Sequence, residues 1–247
     1  MGKNKLAKFS KMLEFEHVIQ VPFHIIEKND FYLKGKWASD FFLNENPVIL
    51  ELGCGKGEYT VQLAEKFPDI NFVGVDIKGA RMYTGAKQAL EKGLKNVAFL
   101  RTNIELTTLF FSKEEISEIW LTFPDPQMKK TRKRLTSSSF LERYRQFLKP
   151  NGIVHLKTDS KFQFTYTSTL AHLNHFEILA ETDNLYESAL LDETLAIKTF
   201  YEKQWLARGI TIKYIAFRLN EKKFNEPDAE IERDEYRSFG RRARDIR

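Results

Sequence analysis

The sequence predicts an α/β domain with a mostly parallel sheet and helices on both faces, and three observations predict it. Short apolar runs at 47–52, 70–76, 97–101, 117–123 and 152–158 alternate with stretches of helical period, the pattern of strand–crossover–strand units. A glycine-rich turn follows the first run and opens into a helix-like stretch at 58–67, placing backbone amides where a polar ligand can approach. Carboxylates close the second run, at Asp76, and follow the fourth, at Asp125, which sets both at the sheet edge where open α/β folds bind ligands.

The first turn reads Leu50-Glu51-Leu52-Gly53-Cys54-Gly55-Lys56-Gly57. Dinucleotide sites use Gly-x-Gly-x-x-Gly, whereas here the third glycine comes one residue early and Glu58 follows it. The turn resembles instead the Glu-x-Gly-x-Gly-x-Gly turn of class I S-adenosylmethionine-dependent methyltransferases. An ordinary strand-to-helix turn uses glycines in the same way, so the neighbouring residues decide. Asp76 lies about twenty residues on, where an acid accepts both hydroxyls of a ribose, and it also suits the N-cap of a helix at 77–91. Asn103, after the third run, occupies the position from which such folds recognise adenine, although a lone loop Asn equally forms turns.

The fourth run, Ile119-Trp120-Leu121-Thr122-Phe123, ends in Pro124-Asp125-Pro126, and the flanking prolines restrict the backbone around the carboxylate. Five cations follow within Lys129-Lys130-Thr131-Arg132-Lys133-Arg134, a lip suited to phosphate. A helix at 139–148 stops at Pro150-Asn151-Gly152, before the fifth strand. Helices at 160–174 and 192–207, an apolar stretch at 175–181 and a β-rich run at 210–219 complete the domain. Residues 220–247 are charged with few aromatics, which reads as a mobile or late-docking tail rather than a second core.

At 247 residues the chain supports one substantial core, divided here into a basic N-terminal extension (1–45), the catalytic domain (46–219) and a charged C-terminal tail (220–247). No apolar stretch is long enough for a bilayer and Met1-Gly2-Lys3-Asn4-Lys5 lacks a signal segment, so a cytoplasmic protein is expected. The single Cys54 reads as a spacer between glycines, and His172 and His175 as helix-end decoration, so no metal is expected. The net charge of +5 is modest but uneven, with basic residues at Lys3, Lys5, Lys8 and Lys11, in 129–134, and in Arg241-Arg242-Ala243-Arg244. Together these suggest a polyanionic partner.

Glu51-Leu52-Gly53-Cys54-Gly55-Lys56-Gly57, Phe123-Pro124-Asp125-Pro126 with its basic run, Lys157-Thr158-Asp159 and Thr199-Phe200-Tyr201-Glu202 resemble, in order and spacing, the motifs of bacterial tRNA (guanine-N7-)-methyltransferases. The resemblance spans roughly 45–220 and implies a single-domain, Rossmann-like class I fold with a seven-stranded sheet whose last strand is antiparallel. It implies S-adenosylmethionine as cofactor, held by Glu51, Gly53, Gly55, Gly57, Asp76, Asn103 and Asp125, and the variable-loop guanine of tRNA as acceptor. Contacts to tRNA or guanosine are implied at Lys129, Asp159, Thr199, Phe200, Tyr201 and Glu202, in a monomer or homodimer. Gln127 stands where the family usually has Trp, the basic run is shorter, and Asp76 replaces a frequent Glu.

Nitrogen 7 of neutral guanine carries a lone pair and no proton, so methylation there needs positioning rather than a general base. Asp125 or Asp159 then suits the positive charge left on the base, making Asp125 the candidate catalytic residue. The competing readings are an NAD-dependent oxidoreductase, disfavoured by the glycine spacing, and a noncatalytic tRNA-binding protein that keeps the fold. Aminopropyl transfer is disfavoured by the basic run. Phe200, Tyr201 and Trp205 also suit plain packing against the sheet.

Overall fold

Five consecutive buried residues, Val48–Leu52, form the strand around which the molecule is organised. The strands in chain order are β1 (Val18–Ile19), β2 (Val48–Leu52), β3 (Asn71–Val75), β4 (Val97–Leu100), β5 (Ile116–Thr122), β6 (Leu148–Thr158), β7 (Glu177–Thr182) and β8 (Lys213–Arg218). The longer helices are α1 (Glu58–Lys66), α2 (Gly79–Glu91), α3 (Ser138–Tyr144), α4 (Lys161–Leu173) and α5 (Phe200–Ala207). This computed structural model describes residues 7–8, 10–28 and 30–235, so Lys3, Lys5 and the arginines at 241, 242 and 244 lie outside the described residues.

The sheet has eight strands in the order β1-β4-β3-β2-β5-β6-β8-β7. All ladders are parallel except the two made by β8, so this strand alone runs against the rest, as expected. The expected seven strands become eight because β1 joins β4, pairing Val18 with Phe99 and Ile19 with Leu100. Two residues are too few to produce a period-2 signal in sequence. The stretch read as a basic extension thus also supplies structure: Phe31, Leu33, Trp37 and Phe42 are buried, and Trp37 Nε1 donates to Phe110 O at 3.0 Å.

The alternation of side chains along a strand divides the core. Val48, Leu50 and Leu52 face a cluster with Trp37, Phe110 and Phe147, whereas Ile49 faces a second cluster with Tyr59, Phe99 and Trp120 under α1 and α2. Glu51 shares the second face and therefore meets α1. After β2 the chain builds β3 and β4 on one side and then crosses to β5 on the other, which makes the carboxyl ends of β2 and β5 the switch point where ligands bind.

One expectation about the C-terminal half needs correction. The helix expected over 192–207 begins only at Phe200, because Asp192 Oδ1 accepts the amides of Thr194 (2.9 Å) and Leu195 (2.7 Å). The Leu195 and Ile197 carbonyls are also taken by the Lys157 ammonium, at 2.7 and 2.8 Å. The tail docks over residues 220–235: Phe224 is buried, Asn225 exchanges two bonds with Asn174, and Asp234 accepts the Phe162 amide (3.0 Å) and the Ser160 hydroxyl at the start of α4.

Candidate active site

The glycine turn is built by long-range bonds as well as by its own residues. Val75 O, at the end of β3, accepts the amides of Gly53 (2.8 Å) and Cys54 (3.1 Å), and Asp76 Oδ2 accepts the amide of Gly55 at 2.9 Å. Gly53, Gly55 and Gly57 all have positive φ, which side chains other than glycine adopt at a cost. Gly57 is constrained further, since a Cβ there would stand 2.6 Å from Phe99 Cε1 and 3.3 Å from the Gly85 Cα of α2. A Cβ at Gly53 would instead enter the cleft, 3.9 Å from Leu135 Cδ1 and 4.0 Å from Ile104 Cδ1.

Glu51 is buried and its carboxylate is engaged. One oxygen accepts the Thr60 amide (2.9 Å) and hydroxyl, and the other accepts the Thr122 hydroxyl. Burial pushes this carboxyl up to about 7 against those hydrogen bonds, and the charge of Asp76 adds to the rise. The partners Thr60 and Thr122 carried no sequence signal, because Thr122 is distant in sequence and reaches Glu51 only through the β2–β5 pairing. Asp76 does not cap α2 as one reading expected: the helix starts at Gly79, and Asp76 Oδ1 takes the Lys78 amide at 2.7 Å. Burial pushes the Cys54 thiol well up from its ordinary value, in keeping with a spacer role.

Glu51, Gly53, Gly55, Asp76, Thr122, Asp125, Thr199, Tyr201 and Trp205 line one cleft of about 520 Å³ at the carboxyl edge of the sheet. A contiguous pocket of about 400 Å³ continues past Asp76 and Ile77 to Asn103 and Ile104. Ile77 and Ile104 border both spaces, and the sequence offered no hint of these apolar walls. A larger cavity, about 1150 Å³, lies away from the glycine turn, between α4 and the docked tail.

Asp125 is exposed at the rim, its Oδ1 accepting the Gln127 amide at 3.0 Å. Phe123 (φ 52°) and Gln127 (φ 47°) hold left-handed backbone on either side of it, and Phe123 also precedes a proline, which favours extended backbone. Such conformations persist where the surroundings over-determine them and gather at functional sites.

The α5 segment forms the opposite wall. Thr199 and Glu202 make a capping box, in which the Thr199 hydroxyl accepts the Glu202 amide and the Glu202 carboxylate accepts the Thr199 amide. The Phe200 amide reaches Glu58 Oε2 at 2.9 Å, and Lys56 Nζ lies 3.7 Å from the Phe200 ring centre, which ties α5 to the glycine turn. Phe200 and Tyr201 are exposed at the mouth rather than packed on the sheet, whereas Glu202 is fully buried. Asp159 is likewise fully buried at the end of β6, its carbonyl accepting from Lys213 Nζ at 3.2 Å, and it does not border the cleft. Of the five cations after Asp125, Lys129, Lys130, Arg132 and Lys133 are exposed, with Lys133 paired to Glu105 at 2.6 Å, and Arg134 is buried. The lip is therefore smaller than the sequence indicated. Among the described residues no group of His, Cys, Asp and Glu is arranged to hold a metal ion, and no helix is long and apolar enough to cross a membrane.

Residues 45–215 match a family model described as a putative methyltransferase. A tRNA (guanine-N(7)-)-methyltransferase of Bacteroides thetaiotaomicron is 58% identical over 99% of this chain and 97% of its own length. Enzymes of the same description from Porphyromonas gingivalis and Clostridium novyi are 53% and 36% identical, over 94% and 76% of this chain and 98% and 87% of theirs. The chain belongs to the tRNA (guanine-N(7)-)-methyltransferase family.

The fold of this methyltransferase is shared with the 16S rRNA methyltransferase KamB, at a TM-score of 0.55 and 14% identity, over 85% of this chain and 96% of that one. It is shared also with a 16S rRNA (adenine(1408)-N(1))-methyltransferase of Catenulisporales acidiphilia solved with SAM, at a TM-score of 0.51 and 13% identity over 78% and 92%. S-adenosylmethionine is the cofactor of the methyltransferase, and the cleft fits it: the Gly53 position leaves space that a Cβ would occupy, and both carboxylates and apolar side chains line the two joined pockets.

Proposed function

We propose that this methyltransferase places a methyl group on nitrogen 7 of the variable-loop guanine of tRNA, working in the cytoplasm. The observation that carries the reading is the continuity of the glycine turn, Asp76, Asp125 and the Tyr201–Trp205 wall around one cleft. When bound, S-adenosylmethionine supplies an electrophilic methyl on a sulfonium sulfur. Gly53, Gly55 and Gly57 shape the turn beside its amino-acid end, with Glu51 as the nearby carboxylate. Asp76 offers acceptors for ribose hydroxyls, and Asn103 borders the pocket between Ile77 and Ile104 that suits a flat base.

The nucleophilic nitrogen has no proton to lose, so no residue is asked to act as a base. Asp125 at the rim accepts hydrogen bonds from the imino and amino groups of guanine and stabilises the positive charge that methylation leaves there. Thr199, Phe200 and Tyr201 at the mouth, with Trp205, offer hydroxyl and ring surface to a base turned out of the tRNA fold. Lys129, Lys130 and Arg132 supply phosphate contacts that orient the tRNA without reading sequence. Holding the reacting atoms in line is worth up to roughly 7–11 kcal/mol, so the rigidity of the cleft does the greater part of the work.

The test is to incubate purified protein with unmodified tRNA and labelled S-adenosylmethionine and to map the product. Label in 7-methylguanosine at the variable loop is expected. Label at another atom or loop, or in no RNA at all, overturns the reading. Binding of tRNA without any methyl transfer would favour the noncatalytic alternative.

A further inference from the structure

Arg134 ends the basic run yet is turned inward, with 3% of its surface exposed. A guanidinium is stable inside a protein when its donors and its flat faces are occupied. Arg134 has two of its donors and part of its flat surface engaged in this way. Nε donates to Pro126 O at 3.0 Å and Nη2 donates to Gln127 O at 3.2 Å, so both bonds end on the loop that carries Asp125. The guanidinium carbon lies 3.9 Å from the ring centre of Tyr166 and 4.7 Å from that of Phe162, both on α4. Tyr166 is fixed in turn: its hydroxyl donates to Glu226, whose other oxygen accepts the Ser138 amide at 2.9 Å.

The Asp125 loop needs this support. Left-handed backbone at Phe123 and Gln127 brackets the exposed carboxylate, and the bond from the Gln127 amide to Asp125 Oδ1 stays inside the same loop. The carbonyls of Pro126 and Gln127, immediately after Asp125, are the points at which Arg134 holds it. A chain of contacts therefore runs from Glu226 in the docked tail through Tyr166 and Arg134 to the rim of the cleft.

We propose that Arg134 is a positioning residue for methyl transfer, backed by Tyr166 and Glu226, and not one of the cations that hold tRNA phosphate. The proposal deepens the tRNA-methylation reading and rests on it. Lysine at this position keeps the charge but loses the forked donors and the flat stacking surface. A displacement of the Asp125 carboxylate by about 1 Å is enough to cost on the order of 10²-fold in rate.

The experiment compares full-length wild type, Arg134→Lys, Tyr166→Phe and Lys129→Ala for steady-state methylation of tRNA and for tRNA binding across a salt series. Arg134→Lys is expected to lower kcat by about 10²-fold with KM for tRNA and the slope of binding against log salt unchanged. Tyr166→Phe keeps the ring but not the link to Glu226, and a smaller fall in kcat with unchanged KM is expected. Lys129→Ala is expected to raise KM and flatten the salt slope. Arg134→Lys with raised KM, a flattened slope and unchanged kcat would make Arg134 a phosphate contact and overturn the proposal. If Arg134→Lys does not fold, Tyr166→Phe decides, and unchanged kcat there overturns the relay. A wild-type enzyme that makes no 7-methylguanosine would overturn the underlying reading instead, which the wild-type arm reports separately.

Discussion

Lys157 Nζ and Glu202 Oε1 lie 2.8 Å apart, with neither side chain exposed to solvent. The ammonium spends its two other donors on the carbonyls of Leu195 and Ile197, so all three are satisfied inside the protein. The main-chain carbonyl of Lys157 meanwhile accepts the amide of Phe123 at 2.8 Å. One residue of β6 thus holds the Asp125 loop through its backbone and the segment leading to α5 through its side chain. Burial pushes the Lys157 ammonium down from the usual lysine value, and the Glu202 carboxylate opposes that.

Removing one partner of this pair leaves the other charged and buried. Lys157→Met is therefore expected to cost about 3–5 kcal/mol of stability. The double variant Lys157→Met/Glu202→Gln is expected to be more stable than Lys157→Met alone, because the stranded carboxylate is gone. Urea denaturation of the four proteins in a double-mutant cycle measures the coupling, and additive losses would show that the two residues act independently.

Asp125→Asn keeps an oxygen for the Gln127 amide and removes the charge. Cofactor affinity is expected to stay near wild type while kcat falls by roughly 10²-fold, the size typical of losing one electrostatic contact to a transition state. Single-turnover methylation with saturating tRNA, together with calorimetric binding of S-adenosylhomocysteine, separates the two quantities. Full turnover in this variant would exclude an electrostatic role for the carboxylate.

Gly57→Ala is expected to be destabilising for two reasons that add. Left-handed backbone costs a non-glycine residue about 1–2 kcal/mol, and the new methyl group would lie 2.6 Å from Phe99 Cε1, forcing a repacking worth roughly 1–3 kcal/mol more. Gly85→Ala should be comparably harmful although Gly85 sits inside α2, since its Cβ would meet Lys56 O at 2.6 Å. The pair is a close approach of the turn to α2, and thermal melts of both variants test it. A Gly85→Ala protein that melts with wild type would refute the contact.

The features that sequence made legible were local ones. Glycine spacing after an apolar run, an acid at the next strand end and prolines around Asp125 are each carried within a few residues, and the structure brings Glu51, Asp76 and Asp125 to one cleft. What sequence hid depends on partners far along the chain. Thr122 meets Glu51 only because β2 and β5 pair, and Arg134 looks like its exposed neighbours until Tyr166 and Phe162 close over it. The helix predicted through 192–199 fails for the same reason, since the carbonyls it would use are claimed by Lys157 from another strand. The third glycine was legible as a turn residue, but its fit against Phe99 and Gly85 was not.

Glu51 gives the protein a pH dependence with a definite sign. An unfolded glutamate ionises near 4.5, whereas the folded carboxyl is held up to about 7, chiefly by burial. Between those values the folded state carries the extra proton, so stability falls as pH rises through this window and is flat with respect to Glu51 above it. The full span corresponds to roughly 3 kcal/mol. Glu51→Gln removes the titration, and the difference in unfolding free energy between pH 5 and pH 7.5 is expected to shrink by an amount of that order. A positively charged ligand near the carboxylate favours its ionised form, so cofactor binding near pH 7 is expected to release a proton that Glu51→Gln does not. Calorimetry in two buffers of different ionisation enthalpy measures that release, and identical proton counts for wild type and variant would show that the carboxyl does not change state on binding.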